Sequence, residues 1–163
     1  MIKIICLGKI KEDYLNDAID EYKKRLSKYT NLEIIELEDI DNKSKEVVLS
    51  KEKEEILKCL NKKEYIICLD IDGKELDSLE FAKKIDNIYL TNSNITFIIG
   101  SSYGISKEIK ELANFRLSFS KMTFPHKLFR VLLLEQIYRA YKINNNEEYH
   151  KGYSFSKGII YDR

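Results

Sequence analysis

The sequence predicts an α/β fold with a mostly parallel sheet and helices on both of its faces. Short runs that are apolar on both faces recur along the chain, and segments with the apolar spacing of helices separate them. One proline and six glycines among 163 residues leave few breaks in regular structure. This length corresponds to one domain, because domains typically have about 150 residues.

The first half of the chain contains two strands and two helices. Residues 3–7 (Lys-Ile-Ile-Cys-Leu) are an apolar run of the kind that forms a buried strand. Apolar residues then recur every three or four positions from Tyr14 to Tyr29, which predicts an amphipathic helix. Residues 32–37 form the second strand, and residues 44–60 are charged and helix-favouring.

The third strand and the third helix follow. Residues 65–70 form a continuous apolar strand, and the Asp72-Gly73 pair predicts the turn that ends it. Ser78 is the predicted cap of the next helix. The apolar stripe of that helix contains Leu79, Ala82, Ile85 and Ile88.

The remaining elements cover residues 95 to 143. Residues 95–99 are a continuous apolar strand, and Ser106 begins a short helix that extends to about residue 113. Residues 117–120 form a short strand. A long helix at about residues 127–143 is apolar nearly all round, so one chain can bury it only with difficulty, and a homodimer interface is expected.

Composition and charge narrow the classes of function. The chain has 28 basic and 27 acidic residues, and this net charge of +1 disfavours a histone-like or ribosomal RNA binder. The charge is uneven, because residues 116–142 hold six basic residues and one acidic residue, a local balance of +5. This segment can contact a phosphate backbone, or it can simply be a solvated face with an interface ion pair.

Cysteine spacing and targeting signals indicate a cytoplasmic protein. Cys6, Cys59 and Cys68 show no C-x-x-C spacing and lie near apolar residues, which favours reduced thiols over disulfides or a metal site. The N-terminus lacks the pattern of a signal peptide. The longest aliphatic run, residues 131–134, is far shorter than the ~20 residues that span a membrane.

The loops at the carboxyl ends of the strands are the expected ligand sites of a parallel sheet. The chain has neither a P-loop nor a G-x-G-x-x-G motif after its first strand. Gly100 and Gly104 permit a close backbone approach to a ligand, although a plain tight turn is the more common reason for such a pair of glycines. His126 follows the only proline, Pro125. A histidine in this place is more often the first residue of a helix than a group that transfers protons.

Taken together, four motifs resemble the RlmH family over roughly residues 1–151. They are Phe97-Ile-Ile-Gly-Ser-Ser-Tyr-Gly104, Leu117-Ser-Phe-Ser-Lys-Met-Thr-Phe-Pro-His126, Arg130 with Glu135-Gln-x-Tyr-Arg-Ala140, and Tyr149-His-Lys151. Members of that family are SPOUT-class methyltransferases, which use S-adenosylmethionine to methylate N3 of a pseudouridine in 23S ribosomal RNA. The resemblance implies one domain over residues 1–151 with a C-terminal trefoil knot, a homodimer, and a C-terminal extension over residues 152–163.

The resemblance also implies a set of site residues. His150 is the first candidate to handle the N3 proton, Arg130 is the second, and Tyr149 lies near the target base. Lys121, Lys127 and Arg139 are expected to contact the phosphates of the ribosomal RNA, and no metal is required. The expected S-adenosylmethionine site consists of Leu69, Gly100, Ser101, Gly104, Ser120, Lys121, Met122, Thr123, Phe124 and Pro125.

Two departures from the family pattern leave alternatives open. Ser101 stands where the family usually has a second glycine, and a serine forced to positive φ costs about 1 kcal/mol or more. The extension beyond residue 151 is the second departure. The alternatives are a non-catalytic RNA- or ribosome-binding dimer of the same fold, and a flavodoxin-like module that binds a phosphorylated ligand in the loop of residues 100–104.

Overall fold

The computed structural model describes residues 1–150, 153–154 and 158–159, and a five-stranded sheet lies at its centre. Every strand pair in this sheet is parallel. The strands are β1 (Ile2–Leu7), β2 (Leu32–Leu37), β3 (Tyr65–Glu75), β4 (Ile95–Ile98) and β5 (Phe115–Ser118). Their order in space is β2-β1-β4-β3-β5, so the buried strand β4 lies between β1 and β3.

Helices cover both faces of the sheet, which confirms the predicted fold class. They are α1 (Asp13–Leu26), α2 (Lys45–Lys58), α3 (Ser78–Tyr89), α4 (Lys107–Leu112) and α5 (His126–Asn144). The larger buried cluster joins the sheet to α1, α3 and α5. The smaller cluster joins the opposite face to α2 and α4 through Ile56 and Ile109.

The predicted end of the third strand is wrong. Strand β3 continues to Glu75, and its pairing with β5 shifts register between Leu69 and Lys74. A Cβ atom at Gly73 would lie 2.6 Å from the carbonyl oxygen of Arg116, so glycine lets the two backbones approach here. The Asp72-Gly73 pair therefore marks an irregularity inside the strand and not its end.

Of the two predicted helix caps, the one at α4 is confirmed and the one at α3 is wrong. Ser106 caps α4 as predicted, its hydroxyl accepting from the N–H of Ile109. At α3 the cap is Asp77, whose carboxylate accepts from the Glu80 N–H at 2.7 Å while the Glu80 carboxylate accepts from the Asp77 N–H at 3.0 Å. The predicted cap, Ser78, does not cap the helix, because its hydroxyl donates to Gln136 of α5 at 2.8 Å.

The long apolar helix is buried in part by its own chain. Helix α5 packs against α1 and α3, and this contact buries Leu133, Leu134, Ile137 and Tyr138. Leu128 near the start of the same helix is 38% exposed, so some of its apolar surface stays uncovered within one chain. The homodimer itself stays a prediction.

The three thiols are free, as predicted. Burial raises the pKa of the Cys6 and Cys68 thiols to about 12, so both are protonated and unreactive near neutral pH. Among the described residues, no group of His, Cys, Asp and Glu side chains is arranged to hold a metal ion. No helix in the same part of the chain is long and apolar enough to cross a membrane.

The C-terminal extension contributes one short feature to the described structure. Strands β6 (Tyr153–Ser154) and β7 (Gly158–Ile159) pair antiparallel, apart from the main sheet. The other residues of the predicted extension lie outside the described residues. Whether residues 152–163 form a separate unit therefore stays a prediction.

Candidate functional site

A cavity of about 590 Å³ lies beside residues 69–72 of β3 and the carboxyl ends of β4 and β5. This volume falls within the range of about 300–1,000 Å³ that is typical of small-molecule sites. The irregular part of β3 and the loops after β4 and β5 line it, at the edge where the sequence predicted a ligand site for a parallel sheet. The lining consists of residues 69–72, residues 99–105 and residues 117–125 without 121, together with His126 and Phe129 of α5.

The structure brings together nine of the ten residues expected at the donor site. Lys121 is the exception, because it is exposed and does not line the cavity. The nine residues are Leu69, Gly100, Ser101, Gly104, Ser120, Met122, Thr123, Phe124 and Pro125.

The loop after β4 is a tight turn that needs both of its glycines. A Cβ atom at Gly100 would lie 2.3 Å from the carbonyl oxygen of Gly104, which is closer than any real contact. Gly104 has φ of +83°, a conformation that other residues adopt only with strain. Its N–H donates to the Ser101 carbonyl at 2.8 Å and closes the turn. The two glycines therefore fix the shape of this wall of the cavity.

Ser101 does not carry the strain that its place in the motif suggested. Among the described residues, Asn146 alone combines a side chain with positive φ, so Ser101 has an ordinary backbone conformation. Its hydroxyl donates to the Glu52 carboxylate of α2 at 2.7 Å, and the N–H of Tyr103 donates to the same hydroxyl at 3.4 Å. A serine at this position is thus accommodated without the conformational cost.

Glu52 is a site-related residue that the sequence analysis missed. Glu52 is 3% exposed, and this burial raises the pKa of its carboxyl group. The hydrogen bond from Ser101 opposes the rise in pKa, whereas the nearby charge of Asp39 adds to it. The signal was present in the sequence, because the spacing from Val48 through Glu52 to Ile56 places all three on one face of a helix. A carboxylate on such a face must find a partner inside the fold.

Asp70 is a second buried carboxylate that the sequence did not indicate. It lies at the cavity, where Lys110 of α4 is 3.3 Å from Oδ1 and Arg116 of β5 is 3.8 Å from Oδ2. The N–H of Asp72 also donates to Oδ1 at 3.1 Å. These contacts join β3, β5 and α4 at the cavity.

Arg130, a candidate for the reaction itself, does not line the cavity. It is 1% exposed, and its Nη1 lies 2.6 Å from Oε2 of Glu36 on β2. Its Nη2 donates to the carbonyls of Leu7 and Gly8 at 3.2 and 3.0 Å. The guanidinium is therefore occupied in joining α5 to the ends of β1 and β2.

His126 does line the cavity, at the start of α5. Burial lowers the pKa of its imidazole, Lys127 and Arg130 add to that shift, and Asp39 opposes it. The neutral imidazole is consequently the form favoured in this environment near neutral pH.

Tyr149 and His150 form a separate cluster with α5, outside the cavity of the same chain. The Tyr149 hydroxyl donates to Glu135 at 2.8 Å, and Arg139 donates to both oxygens of Glu135 at 2.8 and 3.2 Å. The Arg139 guanidinium also lies 3.1 Å from His150 Nδ1 and stacks on the Tyr149 ring. Burial, together with the Glu135 hydrogen bond, raises the pKa of the Tyr149 hydroxyl.

The three expected phosphate contacts differ in their exposure. Lys121 is exposed and Lys127 is half-buried, whereas Arg139 is only 9% exposed and paired with Glu135. The structure therefore does not support Arg139 as a phosphate contact, because its charge is already neutralised within the chain.

Comparisons with known proteins show what the whole chain is similar to. Residues 1–150 match the family model described as a predicted SPOUT methyltransferase. Proteins from Clostridium beijerinckii and Clostridioides difficile, each named ribosomal RNA large subunit methyltransferase H, are 53% and 52% identical over 92% of this chain and 99% of their own length. A solved structure of a probable methylase family protein from Haemophilus influenzae Rd KW20 covers 95% of this chain and 72% of its own, with a TM-score of 0.57 and 14% identity, and shows the fold alone.

Proposed function

Because the chain belongs to the SPOUT methyltransferase family, we propose that it transfers a methyl group from S-adenosylmethionine to N3 of a pseudouridine in 23S ribosomal RNA. The chain is a methyltransferase of large-subunit ribosomal RNA, as its relatives are named. The proposal goes beyond the names of the relatives in two respects, the methyl donor and the atom that is methylated. The names of the relatives favour an enzyme over the non-catalytic dimer, and the family disfavours the flavodoxin-like module.

The observation that carries the proposal is the cavity that β3 and the loops after β4 and β5 form together. A donor with an adenine, a ribose and an amino acid part needs a site of several hundred cubic ångströms, and the cavity provides one. Backbone groups of residues 100–104 and 120–125 would hold the polar parts, and Phe119, Phe124 and Phe129 supply a cluster of aromatic rings beside them. The residues present therefore fit the donor.

When bound, S-adenosylmethionine supplies a methyl group that its sulfonium already activates. The protein has to align the target base with that group, exclude water and accommodate the charge that develops when N3 loses its proton. His150 is our candidate for this last role. The Arg139 guanidinium can only donate, so a neutral His150 ring bonded to it would accept at Nδ1 and would carry its proton at Nε2. An Nε2–H group suits hydrogen bonding to an anionic base better than removal of the N3 proton.

We expect His150→Ala to leave donor affinity unchanged and to slow methyl transfer by about 10²-fold, the typical loss when one donor to a developing anion is removed. His150→Gln retains a side-chain N–H donor and should recover part of the rate. Single-turnover transfer to ribosomal RNA measures both effects, with donor affinity from calorimetry. Transfer at the wild-type rate in His150→Ala would remove this residue from the proposed mechanism.

The partners follow from the substrate and from the position of His150. We propose that the protein works in the cytoplasm as a homodimer on 23S ribosomal RNA in the ribosome, with Lys121 and Lys127 near its phosphates. In this arrangement Tyr149 and His150 of one subunit serve the cavity of the other, since neither lines the cavity of its own chain. The C-terminal knot stays a prediction from the resemblance.

The direct test is the modification itself. We expect a strain that lacks this gene to lose one methylated pseudouridine from its 23S ribosomal RNA, as measured by mass spectrometry of nuclease fragments. The wild-type gene should restore the modification. If the methyl group persists in the deletion strain, the proposed substrate is wrong. If the purified protein takes up no S-adenosylmethionine at millimolar concentration, the non-catalytic alternative replaces the proposal.

A further inference from the structure

A buried carboxylate on helix α2 lies directly behind the turn of residues 100–104. Glu52 is 3% exposed, on the face that also buries Val48 and Ile56 at 3% each. Acidic side chains are rarely so deeply buried, because their desolvation is costly without a hydrogen-bond partner. The partner here is the hydroxyl of Ser101, which donates to Glu52 Oε1 at 2.7 Å.

We propose that Glu52 is a positioning residue of the donor site, which holds the turn of residues 100–104 in place through Ser101. This inference rests on the proposed binding of S-adenosylmethionine in the cavity. Ser101 lines that cavity and Glu52 does not, so Glu52 acts on the donor only through the serine.

The hydrogen bonds of Ser101 transmit the position of α2 to the whole turn. The serine hydroxyl donates to the carboxylate and accepts from the N–H of Tyr103 at 3.4 Å. The serine carbonyl accepts from the N–H of Gly104 at 2.8 Å. Since a carboxylate only accepts, the direction of the Ser101 hydroxyl proton is fixed as well. A shift of Ser101 therefore moves both sides of the turn together.

The turn also has little room to adjust without its anchor. The carbonyl oxygen of Gly104 lies so close to Gly100 that a Cβ atom there would approach it to 2.3 Å. The exposed Ser102, Tyr103 and Gly104 make up the outer part of the turn, so the contact with α2 supplies a fixed point from inside the protein. A short hydrogen bond to a buried carboxylate is among the stronger interactions available for this purpose.

The test compares Glu52→Ala, Ser101→Ala, the double variant and Glu52→Gln in full-length protein. Steady-state methylation of ribosomal RNA gives KM for S-adenosylmethionine and kcat, and calorimetry gives donor affinity. We expect each single alanine variant to raise the donor KM about tenfold, the size of effect for a hydrogen bond to a charged group, with kcat within twofold of wild type. Glu52→Gln should stay within about threefold, because its amide oxygen still accepts from Ser101.

Two comparisons separate positioning from general stability. The double variant should bind the donor no more weakly than Glu52→Ala, because both changes remove one interaction. Val48→Ala, one turn earlier on the same buried face, should lower the melting temperature and leave the donor KM unchanged. An equal rise of KM in Val48→Ala would mean that Glu52 only maintains the fold, and would overturn the inference.

The remaining outcomes also decide the question. If wild type binds the donor and Ser101→Ala binds it equally well, the inference fails while the proposed function stands. If wild type binds no donor, both fail. Should Glu52→Ala not fold, Ser101→Ala and Glu52→Gln carry the test by themselves, since the inference requires the first to weaken binding and the second to preserve it.

Discussion

Gly100→Ala is expected to weaken the binding of S-adenosylmethionine by at least about tenfold. The added Cβ atom would lie 2.3 Å from the Gly104 carbonyl oxygen and 2.5 Å from its carbon, so the turn has to move. Forced backbone shifts of this kind cost roughly 1–3 kcal/mol. A loss of about 1.4 kcal/mol in binding corresponds to tenfold in affinity. Isothermal titration of the donor into wild type and variant measures the change.

Gly104→Ala is the matched control for this experiment. No atom lies within 4 Å of the Cβ position at Gly104, so its cost comes from the φ of +83° alone, about 1 kcal/mol or more. We expect Gly104→Ala to bind the donor more tightly than Gly100→Ala does. Wild-type affinity in Gly100→Ala would show that the turn yields freely and does not shape the donor site.

Arg130→Ala is expected to lower the free energy of unfolding by about 2–4 kcal/mol, because a buried acceptor that loses its donor costs about 1–3 kcal/mol. The substitution removes the contact with Glu36 and leaves the carbonyls of Leu7 and Gly8 without the guanidinium, inside the fold. Urea denaturation measures the loss. The protein concentration is kept fixed, because the proposed homodimer would dissociate on unfolding.

Two further variants show which contacts of Arg130 account for the lower free energy of unfolding. Arg130→Lys should remain strongly destabilised, since one ammonium group cannot reproduce the planar set of contacts. Glu36→Gln should cost about 1 kcal/mol or less, because the Glu36 side chain is 40% exposed and its amide still accepts a hydrogen bond. A stable Arg130→Ala protein that binds the donor and transfers no methyl group would instead support the reacting role expected from the resemblance.

Local patterns were sufficient to predict the sheet and the place of the cavity. The strands of a parallel sheet are buried on both faces, so each appears as an apolar run, and β2 begins and ends where the sequence predicted. The carboxyl ends of such strands meet at one edge, which placed the loops after residues 69, 99 and 120 together. The individual site residues came from the resemblance and not from this pattern.

Contacts between distant residues were beyond the reach of local patterns. Arg130 and Glu36 are separated by 94 positions, and Ser101 and Glu52 by 49, so nothing near either residue indicates its partner. Strand β3 continues past Gly73 because of the β5 backbone beside it, which lies about 40 positions away in the sequence. Similarly, the burial of α5 depends on α1 and α3, whose arrangement only the complete fold determines.

The strand order β2-β1-β4-β3-β5 has a consequence for synthesis of the chain. The first three strands to leave the ribosome are β1, β2 and β3, and β1 and β3 do not pair with each other. They are joined into one sheet only when β4, made later, pairs with both of them. The same strand leads directly into the turn of residues 100–104. The pairing of β4 that joins the two parts of the sheet therefore also brings one wall of the cavity into place.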